Sequence, residues 1–99
     1  MATYTIAGNV IVVDDSGNDG VFIPGQWNIV YVKSYSDFQM EIRAQEAPDV
    51  EGSGGPLLYE GIDTAGSTAS NKDKVNIRTN GMYVTAGAGM AWLYLKVED

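Results

Sequence analysis

The chain has 99 residues and a formal net charge of −7, from thirteen acidic and six basic side chains, with neither histidine nor cysteine. That length makes one domain, able to bury about 60 to 70% of the surface its unfolded form exposes. Lacking histidine and cysteine, the chain has no Ser-His or Cys-His catalysis, no thiol redox chemistry, no disulfides and none of the usual zinc or copper sites.

The opening residues ATYTIAG and NVIVVDD are extended segments separated by Gly8 and Asn9, an order found in tight turns, and Val10 to Val13 is a short apolar run of the buried type. DDSGNDG, residues 14 to 20, then breaks the chain. Its Asp14, Asp15 and Asp19 make it the one plausible calcium loop, but EF-hand spacing begun at Asp15 places Gly17 third and Gln26 twelfth, where a bidentate glutamate belongs. A plain loop with no metal is the expectation. Val21 to Ile23 resumes a strand, which Pro24 and Gly25 are expected to stop.

QWNIVYVKS, residues 26 to 34, is β-branched and aromatic with both faces partly apolar, which predicts a central strand. Trp27 and Tyr31 are expected in the second half of the core. Residues 38 to 45, FQMEIRAQ, alternate Phe38, Met40, Ile42 and Ala44 with polar neighbours, the period-two pattern of a half-buried strand. The short link through Tyr35, Ser36 and Asp37 predicts a hairpin between these two strands.

EAPDVEGSGGP reads as a flexible loop, LLYEGI (57 to 62) as a short strand, and DTAGSTASNKDK as a longer surface loop. VNIRT (75 to 79) returns to strand alternation. Asn80 and Gly81 mark either a hairpin turn or a bulge within one longer strand. In TAGAG, Gly87 and Gly89 precede another strand, and Trp92 stands where a third glycine would complete a dinucleotide fingerprint, so the pair predicts a hairpin bend and no phosphate cradle. The last strand sets Ala91, Leu93, Leu95 and Val97 on one face and Trp92, Tyr94 and Lys96 on the other. With no helical window, the expected fold is all-β: a single antiparallel sandwich or flattened barrel of seven or eight short strands over residues 1 to 99.

No catalytic constellation emerges. Glu41, Glu46, Asp49, Glu51, Glu60 and Asp63 supply carboxylates, but nothing in their placement implies a raised pKa or a paired spacing. Neither S-x-x-K nor G-x-S-x-G occurs. The chain is therefore expected not to be an enzyme and to need no cofactor. Lys72, Lys74 and Arg78 form the one basic cluster, broken by Asp73 and without interleaved aromatics, so nucleic acid is not expected as a partner. The first residues lack the pattern of a signal peptide, and no run has the length of a membrane span. The surplus aromatics are the more suggestive feature: Trp92 and Tyr94 with Lys96, and Tyr83, Tyr59 and Tyr35, are the candidate interface residues.

The ordering GQWNIVYVKSYSDFQMEIRAQ, then PLLYEGID, then NKDKVNIRTNGMYVTAGAGMAWLYLKV resembles that of small β-sandwich structural proteins of tailed-phage virions, over about three quarters of the chain. The resemblance implies a capsid decoration or cement protein, or a neck or tail accessory. Such a protein would be assembled in the host cytoplasm and carried in the virion. It would bind the major capsid protein or other virion proteins, as a homo-oligomer with a trimer favoured. The alternative is a carbohydrate-binding or host-attachment module whose exposed aromatics stack on sugar rings.

Overall fold

The computed structural model describes residues 2 to 17, 19 to 44, 55 to 62 and 70 to 97. It is all-β. The strands are β1 (Thr3–Ala7), β2 (Val10–Asp14), β3 (Val21–Tyr35), β4 (Met40–Ala44), β5 (Leu57–Gly61), β6 (Asn71–Thr85) and β7 (Met90–Leu95). They form one antiparallel sheet in the order β1-β2-β7-β3-β6-β4-β5.

Two strands of 15 residues, β3 and β6, run antiparallel through the middle and are each bent twice. Register shifts fall between Ile23 and Gln26 and between Ile29 and Tyr31. Each shift adds a residue to one strand and sharpens its twist. The sheet thereby folds over on itself into two layers. One layer holds β1, β2, β7, the second half of β3 and the first half of β6; the other holds the remaining halves with β4 and β5. Inward side chains of both layers, including Ile11, Val13 and Leu93 from the first and Ile23, Met40, Ile42, Met82 and Val84 from the second, make one fully buried cluster. The 22 Å short axis fits two layers about 10 Å apart with their outer side chains.

Several expectations hold. The first turn is the β1–β2 hairpin around Gly8. Met40 and Ile42 are buried while Glu41 and Arg43 face outward. Val75 and Ile77 pack inward and Asn76 and Arg78 face out. Asn80 and Gly81 lie inside one long strand, where Gly81 takes a φ of 84° opposite Pro24 and Gly25.

Other expectations are corrected. Pro24 and Gly25 do not stop the strand, because the bulge leaves Pro24 without a ladder partner and Gly25 accepts a φ of 114°. Residues 26 to 34 and 38 to 45 are not a hairpin: β3 pairs with β6 and β7, and β4 with β5 and β6. The short link at 36 to 39 crosses between layers, and Phe38 sits in it, 57% exposed. TAGAG is a bend but not a hairpin, since β7 pairs with β2 and β3 rather than β6. Residues 71 to 74, expected in a loop, begin β6. Val97 is exposed beyond the end of β7. Gln45 of the expected strand and the expected loop residues 46 to 54 and 63 to 69 lie outside the described residues.

A buried carboxylate joins the loops at one end. Asp15 is fully buried and accepts hydrogen bonds from the backbone N–H groups of Asp19 (2.7 Å), Gly20 (3.1 Å) and Ala86 (2.9 Å). Its own N–H donates to Gly89 O at 2.9 Å. The TAGAG bend packs in turn against the 36 to 39 link, where Phe38 N donates to Gly87 O. A Cβ at Gly87 would lie 2.2 Å from Phe38 O, and one at Gly89 2.0 Å from Tyr35 O, so close backbone approach explains both glycines.

Replacing Asp15 by alanine leaves three amide donors without their charged acceptor, and is expected to cost about 3 kcal/mol or more in urea denaturation. Ala88 holds a left-handed φ of 64° in the same bend. Ala88→Gly is therefore expected to raise stability by about 0.5 to 1 kcal/mol in the same assay.

Candidate functional site

The outer face of the first layer gathers chemistry from four strands. Cross-strand register sets Val12, Trp92, Lys33 and Lys72 in one row, and Val10, Tyr94, Tyr31 and Lys74 in the next. Asp14, Met90 and Tyr35 form a third row at one end. At the other end Lys96 N donates to Asn28 O, and Asn28 is registered with Arg78. Five of the six basic side chains in the chain thus share one face of an acidic protein.

The bulge at Val30 produces this arrangement. Strict alternation would turn Tyr31 inward with Ile29; the extra residue opposite β7 flips the phase, so Ile29 and Val32 are both buried and Tyr31 emerges beside Tyr94. Their ring centroids are 5.5 Å apart at an interplanar angle of 75°, an edge-to-face pair. Trp27, by contrast, packs against the core as expected, its Nε1 donating to Pro24 O at 3.1 Å.

Lys33 Nζ lies 5.2 Å from the Trp92 ring centroid, a cation–π contact of about 0.5 to 1 kcal/mol at a partly exposed site. None of Lys33, Lys72, Lys74, Arg78 and Lys96 makes an ion pair among the described residues; the pair found there is Arg43 with Glu41 at 3.1 Å. Beside the Lys96–Asn28–Arg78 row lies an open depression of about 510 Å³, lined also by Gln26 and Asn80. Asn28 Oδ1 is enclosed at its edge without a donor.

The candidate interface residues are split by the fold. Trp92, Tyr94 and Tyr35 share this face, Tyr35 being 44% exposed. Tyr83 lies on the outer face of the other layer, its hydroxyl donating to Asp19 O at 2.7 Å; burial, then the charges of Asp15 and Asp19, raise its pKa. Tyr59 turns inward from β5 against the core, and its hydroxyl donates to Asp73 of β6, linking the two layers. Burial first, then that hydrogen bond and the Asp73 charge, push its pKa well above the ordinary tyrosine value.

Reading β6 along the sequence alone missed Lys33, Lys96 and Tyr31 as neighbours of Lys72, Lys74 and Arg78. The available signal was parity: positions 72, 74 and 78 all point the same way once 71 to 74 are strand. The aromatics absent from the basic cluster in sequence come from adjacent strands in space. Asp15, expected at most as a metal ligand, is instead engaged by backbone amides. Among the described residues no group of three or more acidic side chains is gathered as a metal site would require. Comparison with protein-family models, with curated proteins and with solved structures finds no match to the chain.

A raised tyrosine pKa means the fold favours the neutral phenol. The stability it lends is complete below the unfolded value near 10 and is lost as pH rises through the folded value. Ultraviolet titration is expected to show Tyr59 ionising last, with Tyr59→Phe removing that final step and flattening the loss of stability above about pH 10.

Proposed function

We propose that the chain is a non-enzymatic structural module of a tailed-phage virion, most concretely a homo-oligomeric head decoration or cement protein. In this reading the Trp92–Tyr94 face is its contact with sister subunits or the capsid lattice. The observation that carries the reading is the composition of that face: Trp92, Tyr94, Tyr31, Val10, Val12 and Met90 lie among cations that no carboxylate neutralises in the described chain. Aromatic anchors within a polar rim are the composition of protein interfaces.

The acids support the same view, because several have structural work. Asp15 binds backbone amides, Asp73 accepts from Tyr59, and Glu41 holds Arg43. A carboxylate committed in this way is poorly placed to exchange protons with a substrate. The virion setting comes from the resemblance described above.

A second reading, carbohydrate binding, is favoured by the depression where the amides of Gln26, Asn28 and Asn80 meet Arg78 and Lys96. Such groups suit hydroxyls and sugar acids, and a glycan array separates this reading from the first.

The structural reading is tested by density-gradient sedimentation of virions incubated with purified protein. The wild type is expected to band with particles, and Trp92→Ala to lower its association about 30-fold, the effect of removing a ~2 kcal/mol anchor, with urea denaturation confirming that the variant folds. Unchanged binding by Trp92→Ala would sink the assignment of this face.

A further inference from the structure

We infer that the cationic face docks on the opposite face of a second copy of the chain, where Glu60 is exposed, so that the protein assembles head to tail; this rests on reading the Trp92–Tyr94 face as an assembly surface. The first ground is the separation of charge. Lys33, Lys72, Lys74, Arg78 and Lys96 share the outer face of the first layer, where Asp14 is the one acid among the described residues. The sixth cation, Arg43, lies on the other outer face and is held by Glu41.

The second ground is what that other face presents. Glu41 and Glu60 stand directly opposite each other across β4 and β5, where like charges repel. Glu60 is exposed, with no partner among the described residues. The adjoining row is Phe22, Tyr83, Arg43 and Leu57. One face is thus apolar with surplus cations, and the other apolar with an exposed carboxylate, Glu60, that no cation among the described residues meets and that an incoming lysine would pair.

These grounds fix the symmetry. Two cationic faces meeting about a two-fold axis would set five positive charges against five, which disfavours an isologous dimer through this face. A face that fits a different face of the same chain is heterologous and propagates into a ring or a filament. The ring arrangement also speaks against a nucleic-acid strand as the occupant. Lys33 covers the Trp92 ring and Tyr31 meets Tyr94 edge to face, so these rings are not parallel platforms for bases, and the net charge of −7 repels a polyanion at range.

The test uses two charge reversals at exposed positions, Lys72→Glu with Lys74→Glu in one variant and Glu60→Lys in the other, each checked for folding by urea denaturation. Light scattering is read at about 0.01 M and about 1 M salt, between which the screening length falls from about 30 Å to about 3 Å. The wild type is expected to exceed dimer mass at low salt and to fall toward monomer at high salt. Each variant alone is expected to remain monomeric at both.

An equal mixture of the variants is expected to regain assembly beyond a dimer at low salt, because each copy keeps one working face and the two reversed faces carry opposite charge and fit each other. A wild type that stays monomeric at low salt, a variant that still assembles alone, or a mixture that stays monomeric overturns the proposal. So does a monomeric wild type that retains a fluorescent oligothymidylate which the lysine variant releases. Virion sedimentation reads the parent assignment separately: a monomer that still bands with particles removes only the head-to-tail contact, and assemblies that never band remove only the virion role.

Discussion

One buried carboxylate sets the geometry of one end of the molecule. Asp15 has given up water entirely, and three backbone amides from two loops replace it. Burying a charge is costly unless charge-assisted hydrogen bonds satisfy it, so once Asp15 is enclosed its amide donors must stay where they are. The TAGAG bend is held by this requirement, and the 36 to 39 link is packed on the bend. Because the bend delivers the chain into β7, the position of Asp15 also governs where Trp92 and Tyr94 emerge.

A similar economy of polar contacts holds the layers together elsewhere. Asn71 at the start of β6 donates to Ile62 O and accepts from Ile62 N, while its amide also donates to the buried Ser34. The first residue of one long strand thereby fixes the end of β5. Tyr59 and Asp73 make the neighbouring link between layers. Apolar packing fills the space between the sheets, and these few directional bonds select which edges meet. With the edges fixed, the outer faces are fixed too, and the segregation of charge between them follows from strand parity and the phase change at Val30.

Most of the strands were legible because their patterns are local: Met40 and Ile42 against Glu41 and Arg43, or Ala91 and Leu93 against Trp92 and Tyr94, need only period two and one buried face. Pairing was not legible. The proximity of residues 34 and 38 suggested a hairpin, yet the link at 36 to 39 crosses between layers, and only the long-range contact of Phe38 with Gly87 shows why. Bulges were the other blind spot. The phase change at Val30 moves Tyr31 from the expected core to the surface, and a one-residue insertion leaves no mark in composition. The candidate site was half legible for the same reason: Trp92, Tyr94 and Lys96 share a strand and could be grouped, whereas Lys33, Lys72 and Lys74 joined them only through lateral register.

The double role of β3 and β6 has a dynamic consequence. Each strand belongs to both layers, its halves hydrogen-bonded in different company on either side of the bulges. Neither layer can open as a unit while the other stays closed, since opening would tear half of a continuous strand from its neighbours. Partial unfolding is thus confined to the outlying strands β1 and β5, and amide exchange in the two long strands reports the global free energy from end to end. A module built this way has no intermediate rigidity to offer: it presents both outer faces together, in fixed relation, or neither.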